Sequence, residues 1–327
     1  MLRPFTVNVS YILPLRVAHA AELELDAYLD WVTRHAELIV VDGSDDAVFE
    51  EHARRWSSLN LRHLRVDPDL GRLLNGKVAG VLTAMRRATH PHLVIADDDV
   101  RYDEGGLSAM DAALNSADVV RPQNYFDPLP WHAWLDTGRT LLNRMTGGDW
   151  PGTIGVRRSV LRATGGYDGD VMFENLELVR TVVAAGGREL CPLGLYVRRL
   201  PPEAAHFWSQ RVRQAYDEFA RPFRLATWMA ILPAAAMLAI TRRGWWLDAA
   251  AAAVVALAET GRRRANGSRV FPFVASIAAP LWVCERAICA WLAAAARVVY
   301  GGIPYRGRII TRAATPVTVL MARTKGM

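Results

Sequence analysis

A chain of 327 residues with 51% hydrophobic and 22% charged side chains has the material for one large packed domain or two modest ones, which excludes a disordered chain. Its formal charge of +6 is unevenly spread: from Arg221 onward 15 Lys and Arg face three acids (Asp248, Glu259, Glu285), a net of +12, leaving residues 1–220 with 24 basic and 30 acidic side chains, a net of −6. Basic residues at the ends of apolar runs suit a membrane bearing anionic lipid and exclude nucleic acid, whose basic face would be soluble and interleaved with aromatics.

The opening residues lack a long apolar run, so no signal peptide is expected and the first two-thirds of the chain is placed in the cytosol. Residues 7–15 predict a strand and 20–35 an amphipathic helix. A second strand follows at 37–42 (ELIVVD), then a helix at 47–56, a strand at 61–66, a helix at 75–89 and a strand at 92–97 (HLVIAD). This alternation predicts a mostly parallel sheet with helices on both faces, in which ligands meet loops at the carboxyl ends of the strands. Two acidic clusters fall at such ends: Asp42-Gly43-Ser44-Asp45-Asp46 and Asp97-Asp98-Asp99. The three cysteines (Cys191, Cys284, Cys289) form no C-x-x-C pair, so neither a zinc site nor a disulfide framework is expected.

Beyond residue 220 the pattern changes. Residues 225–241 carry no charge and 245–258 are rich in Ala and Val, with Arg242-Arg243 and Arg262-Arg263-Arg264 behind them. The pair predicts a membrane hairpin over about 225–258, returning the chain to the cytosol at the second arginine cluster. A third apolar stretch, 270–299, holds Glu285-Arg286 in its middle and predicts a re-entrant or interfacial segment.

Asp97 and Asp99, at alternate positions after a buried strand, can share one hard cation and leave coordination sites open for diphosphate oxygens. Asp98, between them, is a further candidate for binding the donor nucleotide, and a solvated turn is the plain alternative. Asp42 closes the second strand, where an acid commonly holds a ribose or base edge. Lys77, at a predicted helix start, offers a positive charge to a nucleotide, or is a surface lysine. Trp131, His132, Trp134 and Trp150 offer aromatic faces for a sugar or lipid head, or pack as core.

Read together, LPLR, VVDGSDD, NGKVAGVLTAM, HLVIADDDV, GTIGVRRSVLRATGGYD, FENLELVRTVVAAGG and SQRVRQ span nearly all of residues 5–220. In order and spacing they resemble the family 2 inverting glycosyltransferases, which have a GT-A fold. The apolar tail with GGIPYRGR looks like the membrane-embedded members that glycosylate lipids, such as ceramide glucosyltransferases and their bacterial relatives. The resemblance implies an α/β fold with a Rossmann-like, mostly parallel sheet over 1–220, followed by membrane-anchoring helices over 221–327. It implies a UDP- or GDP-sugar donor, Mg2+ or Mn2+, a membrane lipid or lipid-linked acceptor, and a place at the cell membrane, multi-pass or re-entrant. Nothing in the sequence fixes the donor's base and sugar or the oligomeric state.

Position by position, the resemblance gives nucleoside binding to Asp42, and metal and nucleotide-sugar binding to the D-x-D acids Asp97 and Asp99. It gives diphosphate or acceptor contacts to Gln210 and Arg213 of the Q-x-x-R-W element, whose tryptophan is replaced here by Gln214. In the E-D motif Glu174 is retained, but the usual catalytic aspartate is Asn175. An amide cannot take a proton from the acceptor, so Glu174, Glu177 or Asp170 must act as base. The alternative is a relative without turnover, a partner subunit that binds nucleotide sugar or lipid.

Overall fold

The computed structural model describes residues 7–20, 23–305 and 307–325. Among the described residues, ten strands and eight α-helices run up to residue 216, followed by four more α-helices and a short hairpin in the tail. The strands are β1 (Val9–Leu15), β2 (Glu37–Asp42), β3 (Leu61–Leu64), β4 (His92–Ala96), β5 (Val100–Arg101), β6 (Val119–Val120), β7 (Gln123–Phe126), β8 (Thr153–Arg157), β9 (Glu189–Leu190) and β10 (Tyr196–Arg199). The helices are α1 (Leu23–Thr33), α2 (Asp46–Arg55), α3 (Gly76–Arg87), α4 (Glu104–Leu114), α5 (Ala133–Met145), α6 (Arg158–Ala163), α7 (Glu174–Ala184), α8 (Ala204–Tyr216), α9 (Pro222–Ile240), α10 (Trp245–Arg263), α11 (Phe273–Tyr300) and α12 (Val317–Lys325). A short hairpin, Ile303–Tyr305 with Arg308–Ile310, joins α11 to the last segment.

The main sheet has seven strands in the order β3-β2-β1-β4-β8-β6-β9. β1 pairs in parallel with β2 (Ile12 opposite Ile39) and with β4 (Ile12 opposite Ile95), and β2 in parallel with β3. β8 runs antiparallel to both β4 and β6. Strands buried on both faces need apolar residues at every position. Tyr11 and Leu13 pack one face with Leu29 and Val40, while Ile12, Ile39 and Val41 pack the other with Val78 and Val81. A second sheet, β5-β10-β7, carries Arg199 beside the end of β4.

Local chemistry sets the helix starts that matter for the site. Asp45 caps α2 by accepting from the backbone N–H of Val48, and Asn75 caps α3 by accepting from that of Lys77 at 3.1 Å. Glu174 opens α7, where the helix dipole favours a carboxylate.

The tail departs from a self-packed hairpin. α9 and α10 scarcely touch each other, and both lean on α11, which lies across α5 and α8 of the first domain. Small residues allow the close approach: a Cβ on Gly138 of α5 would stand 2.9 Å from the Ala279 Cα of α11, and one on Gly261 of α10 would stand 2.0 Å from the Leu141 carbonyl oxygen. Arg211 of α8 ties the layers further, bonding Asp136 of α5 at 2.5 Å and Glu285 of α11 at 2.6 Å. That bond accounts for the acid in the middle of the third apolar stretch. Among the described residues, only α9 and α11 are long and apolar enough to cross a membrane; α10, expected as half of a spanning hairpin, is not among them because Asp248, Glu259, Arg262 and Arg263 interrupt it. No residue of α9 is buried, whereas half of the apolar window of α11 is.

After the hairpin the chain returns to the first domain. The backbone N–H groups of Met172 and Phe173 donate to the carbonyls of Arg312 and Ala313 at 2.9 and 2.8 Å, directly before Glu174. Segment 311–325 thus packs back on the first domain, with α12 against α7.

Candidate active site

Two cavities meet where β4, α3 and α7 converge. The larger, about 730 Å³, opens over the ends of β1 and β2 and is lined by Leu15, Val41, Gly43, Asn75, Lys77 and Asp98. The smaller, about 180 Å³, faces α5, α8, α9 and α11. Asp97, Glu174 and Arg213 line both.

Lys77 Nζ sits between the two acids, 2.6 Å from Asp97 Oδ1 and 3.0 Å from Glu174 Oε1. Burial pulls this ammonium down, but the two carboxylates outweigh it and hold it above its ordinary value. On the other side of Asp97 stands Arg199, 3.6 Å from its Oδ2, with its Nε donating to Asp99 Oδ2 at 2.8 Å. Asp99 is raised by burial and by its neighbours Asp97 and Asp98, against the pull of Arg199.

The residues present fit a divalent cation in one specific respect. Asp99 Oδ1 is buried without a hydrogen-bond partner, an oxygen that a cation would satisfy. The three acids do not themselves converge as three ligands. Among the described residues the one such convergence is Asp42, His52 and His63, whose ligand atoms lie within 4.8 Å of one another.

That second cluster explains where Asp42 goes. Its carboxylate is fully buried and does not line the cavity; its Oδ1 accepts from the Ser44 backbone N–H at 2.9 Å, and its Oδ2 contacts His52 Nδ1 at 2.7 Å and His63 Nε2 at 3.2 Å. Burial opposes ionisation there, but His63, Ser44 and His52 hold the carboxyl well below the usual range. The neighbours of Asp42, Val41 and Gly43, form the cavity wall in its place.

The remaining predicted residues divide in the same way. Arg213 reaches the junction of the cavities and stacks over the Tyr305 ring at 5.2 Å. Gln210 lines neither cavity and donates to Ser209 Oγ at 3.0 Å, while Gln214, at the motif's tryptophan position, accepts from Arg211 at 2.9 Å and lines the smaller cavity. Glu177 is fully buried, and its Oε2 accepts from the Thr315 backbone N–H at 2.6 Å, so it holds the returning segment and does not reach the cavities. The aromatic platform is not assembled: Trp131 is 59% exposed on the surface beside Trp208, Trp134 is half-buried, and neither lines a cavity. Trp150 alone of that set does, packed under Arg121 and against Phe173. Asp170 accepts from the Leu74 backbone N–H at 3.0 Å and lines neither cavity.

Arg199 and Asp217 escaped the sequence reading. Asp217 lines the smaller cavity, and its carboxyl is pushed up to about 8 by burial and by Glu174, against Arg286, Arg213 and Arg221. In sequence it reads as a solvated helix end, DEFARPFR.

Comparison with solved structures decides the fold. The chain aligns over 88% of its own length and 88% of a mannosyltransferase from Pyrobaculum calidifontis, PcManGT, solved with GDP-Man and Mn2+, at a TM-score of 0.53 and 20% identity. The chain has a GT-A fold. More partial overlaps include S. aureus TarS (17% identity, 63% of this chain and 64% of that one, TM-score 0.40) and mannosyl-3-phosphoglycerate synthase from Rubrobacter xylanophilus (13%, 63% and 71%, TM-score 0.42). No family model matches the chain, and no curated protein matches it by sequence. In this GT-A fold the acids after β4 and the start of α7 are brought within one lysine's reach of each other, 77 residues apart in sequence.

Proposed function

We propose that this protein is a glycosyltransferase that moves a sugar from a nucleotide-sugar donor to a lipid or lipid-linked acceptor at a membrane, with inversion at the anomeric carbon. The observation that carries the reading is the Lys77 bridge between Asp97 and Glu174 at the junction of two cavities, one large enough for a nucleotide and one facing the apolar helices. The GDP-Man and Mn2+ held by the structural neighbour support a nucleotide-sugar donor and a divalent ion. The exposed apolar side chains of α9 and α11, among them Phe223, Met237, Ile240, Leu281 and Val298, support a membrane, since soluble monomers rarely leave so large an apolar face bare.

In this reading the donor lies in the larger cavity, its nucleoside against Val41 and Gly43 and its diphosphate near Lys77 and Arg213. Asp97 and Asp99 would hold Mg2+ or Mn2+, which supplies neutralising charge for the diphosphate. Glu174 takes the proton from the acceptor hydroxyl as its oxygen bonds to the anomeric carbon and the bond to the diphosphate breaks. Lys77 orients that carboxylate and Arg213 faces the departing phosphate. Asn175 takes no proton in this scheme.

The test uses membranes from cells expressing the chain, radiolabelled UDP- and GDP-sugars, and Mg2+ or Mn2+. Label is expected in the organic extract and absent with Asp99→Ala or chelator. Label that stays in water for every donor, with nucleotide binding intact, would instead support a non-catalytic partner subunit.

A further inference from the structure

Arg286 is a buried cation that no carboxylate contacts directly among the described residues; Glu285 and Glu218 act on it only from a distance. It lies in the middle of α11, is 3% exposed, lines the smaller cavity, and its Nε has no hydrogen-bond partner. Its neighbour Glu285 is engaged by Arg211 at 2.6 Å. Among the described residues Arg286 makes no ion pair; its contact is the ring of Trp282, 5.5 Å from the guanidinium carbon. A buried guanidinium without a paired carboxylate is costly, and one that lines a cavity is placed to meet an anion arriving from outside.

Four of the other arginines around this cavity have acid partners. Arg139 pairs with Asp149 at 3.2 Å, Arg199 with Asp99 at 2.8 Å, and Arg221 and Arg224 with Glu218 at 3.3 Å each. Arg213, at the junction with the donor cavity, makes no ion pair among the described residues and lies over the Tyr305 ring. Asp217, which also lines this cavity, makes no ion pair among the described residues, and with its carboxyl pushed up to about 8 by burial and by Glu174 it stays protonated at neutral pH. It is therefore a hydrogen-bond donor here, as a phosphate oxygen requires. At about 180 Å³ the space is several times the ~30 Å³ share of one water.

We propose that the smaller cavity seats a phosphate group carried by the acceptor lipid, bound by Arg286 with Arg213 at the junction. The assignment rests on the glycosyltransferase reading above. The donor's own phosphates belong to the larger cavity, on the far side of Glu174. The smaller one opens toward helices whose outer faces are apolar: Arg221 and Arg224, at the start of α9, and Trp282, on α11, all line it. A lipid tail leaving the cavity therefore meets the exposed apolar surface of those same helices. A guanidinium binds phosphate through paired N–H donors, which a neutral lipid alcohol would leave unsatisfied.

The full chain, in a neutral maltoside detergent and phosphate-free buffer, is titrated with a C20 isoprenyl monophosphate, the matching alcohol and inorganic phosphate, following fluorescence from Trp150 and Trp282. The monophosphate is expected to bind at least tenfold more tightly than either of the others, and Arg286→Met to lose that advantage. Arg286→Met should melt no lower than wild type, since it removes an unpaired charge; if it does melt lower, Arg286→Gln and Arg286→Lys are titrated in the same way. Equal affinity for alcohol and monophosphate, or an unchanged constant in the folded variants, overturns the proposal. Inorganic phosphate binding as tightly as the lipid monophosphate overturns the acceptor assignment. UDP and GDP binding with Mn2+ is measured in parallel on wild type: failure there removes the glycosyltransferase reading, whereas failure of the monophosphate alone removes only this one.

Discussion

The side-chain amide of Asn175 donates a hydrogen bond to the carbonyl oxygen of Pro151 at 2.9 Å. The residue that seemed a lost catalytic acid therefore has work that an aspartate cannot do, because a carboxylate has no hydrogen to give that carbonyl. Asn175→Asp sets a negative charge against it. The substitution is expected to destabilise the protein by about 1–3 kcal/mol in urea unfolding and to leave sugar transfer no faster than wild type. A gain in transfer would return the base to position 175.

Glu174 is the only carboxylate at the junction placed both on the start of α7 and beside Lys77. Glu174→Gln keeps the shape and removes the proton acceptor. Transfer should fall by about 10²–10⁴-fold while donor affinity, read by calorimetry, stays within a few-fold. Parallel loss of both would make Glu174 a donor ligand.

Asp217 ties stability to pH with a definite sign. Its folded value of about 8 lies above the 3.8 of an ordinary aspartate, so the folded state keeps a proton that the unfolded chain releases. Stability is withdrawn as pH rises from about 4 toward 8, and no further beyond. Asp217→Asn should match wild type near pH 4 and exceed it at pH 8, the gap widening by at most about 1.4 kcal/mol per pH unit. Denaturant curves at three pH values decide it; a constant gap refutes the assignment.

Glu177 accepts from Thr315 with no solvent access, so its removal strands a buried backbone donor. Glu177→Ala should cost about 1–3 kcal/mol and speed hydrogen exchange at residues 172–174 and 312–315. Loss of transfer without faster exchange would place Glu177 in the chemistry instead.

The bare apolar faces of α9 and α11 give a test of location. Expressed in bacteria, the chain should stay with the membrane pellet through washes in 1 M salt and alkaline carbonate. Release by salt alone would leave charge, not apolar contact, as the tether.

Much of the sheet was legible because each of β1, β2 and β4 is buried on both faces and reads as a continuous apolar run between polar loops. β2 was read to the residue, whereas β1 starts two residues later than expected and β3 and β4 stop two and one residues earlier. The acids after β4 and Glu174 were legible as motifs. Their partners were not: Arg199 comes from a strand of the second sheet, and only the pairing of β10 with β5 brings it to Asp99. Residue type told nothing of the tryptophans' direction: Trp131 turns outward where Trp150 lines the smaller cavity. The Glu285-Arg286 pair was visible as an interruption, but its division into one spent and one unspent charge depends on Arg211, 74 residues away.

The hydrogen bonds from Met172 and Phe173 to Arg312 and Ala313 have a consequence for assembly. The loop before Glu174 is fastened by residues that follow all three long helices in the chain, so these two bonds can form only after α9, α10 and α11 have been made. The start of α7 is thereby tied to the last part of the chain and not to the sheet alone.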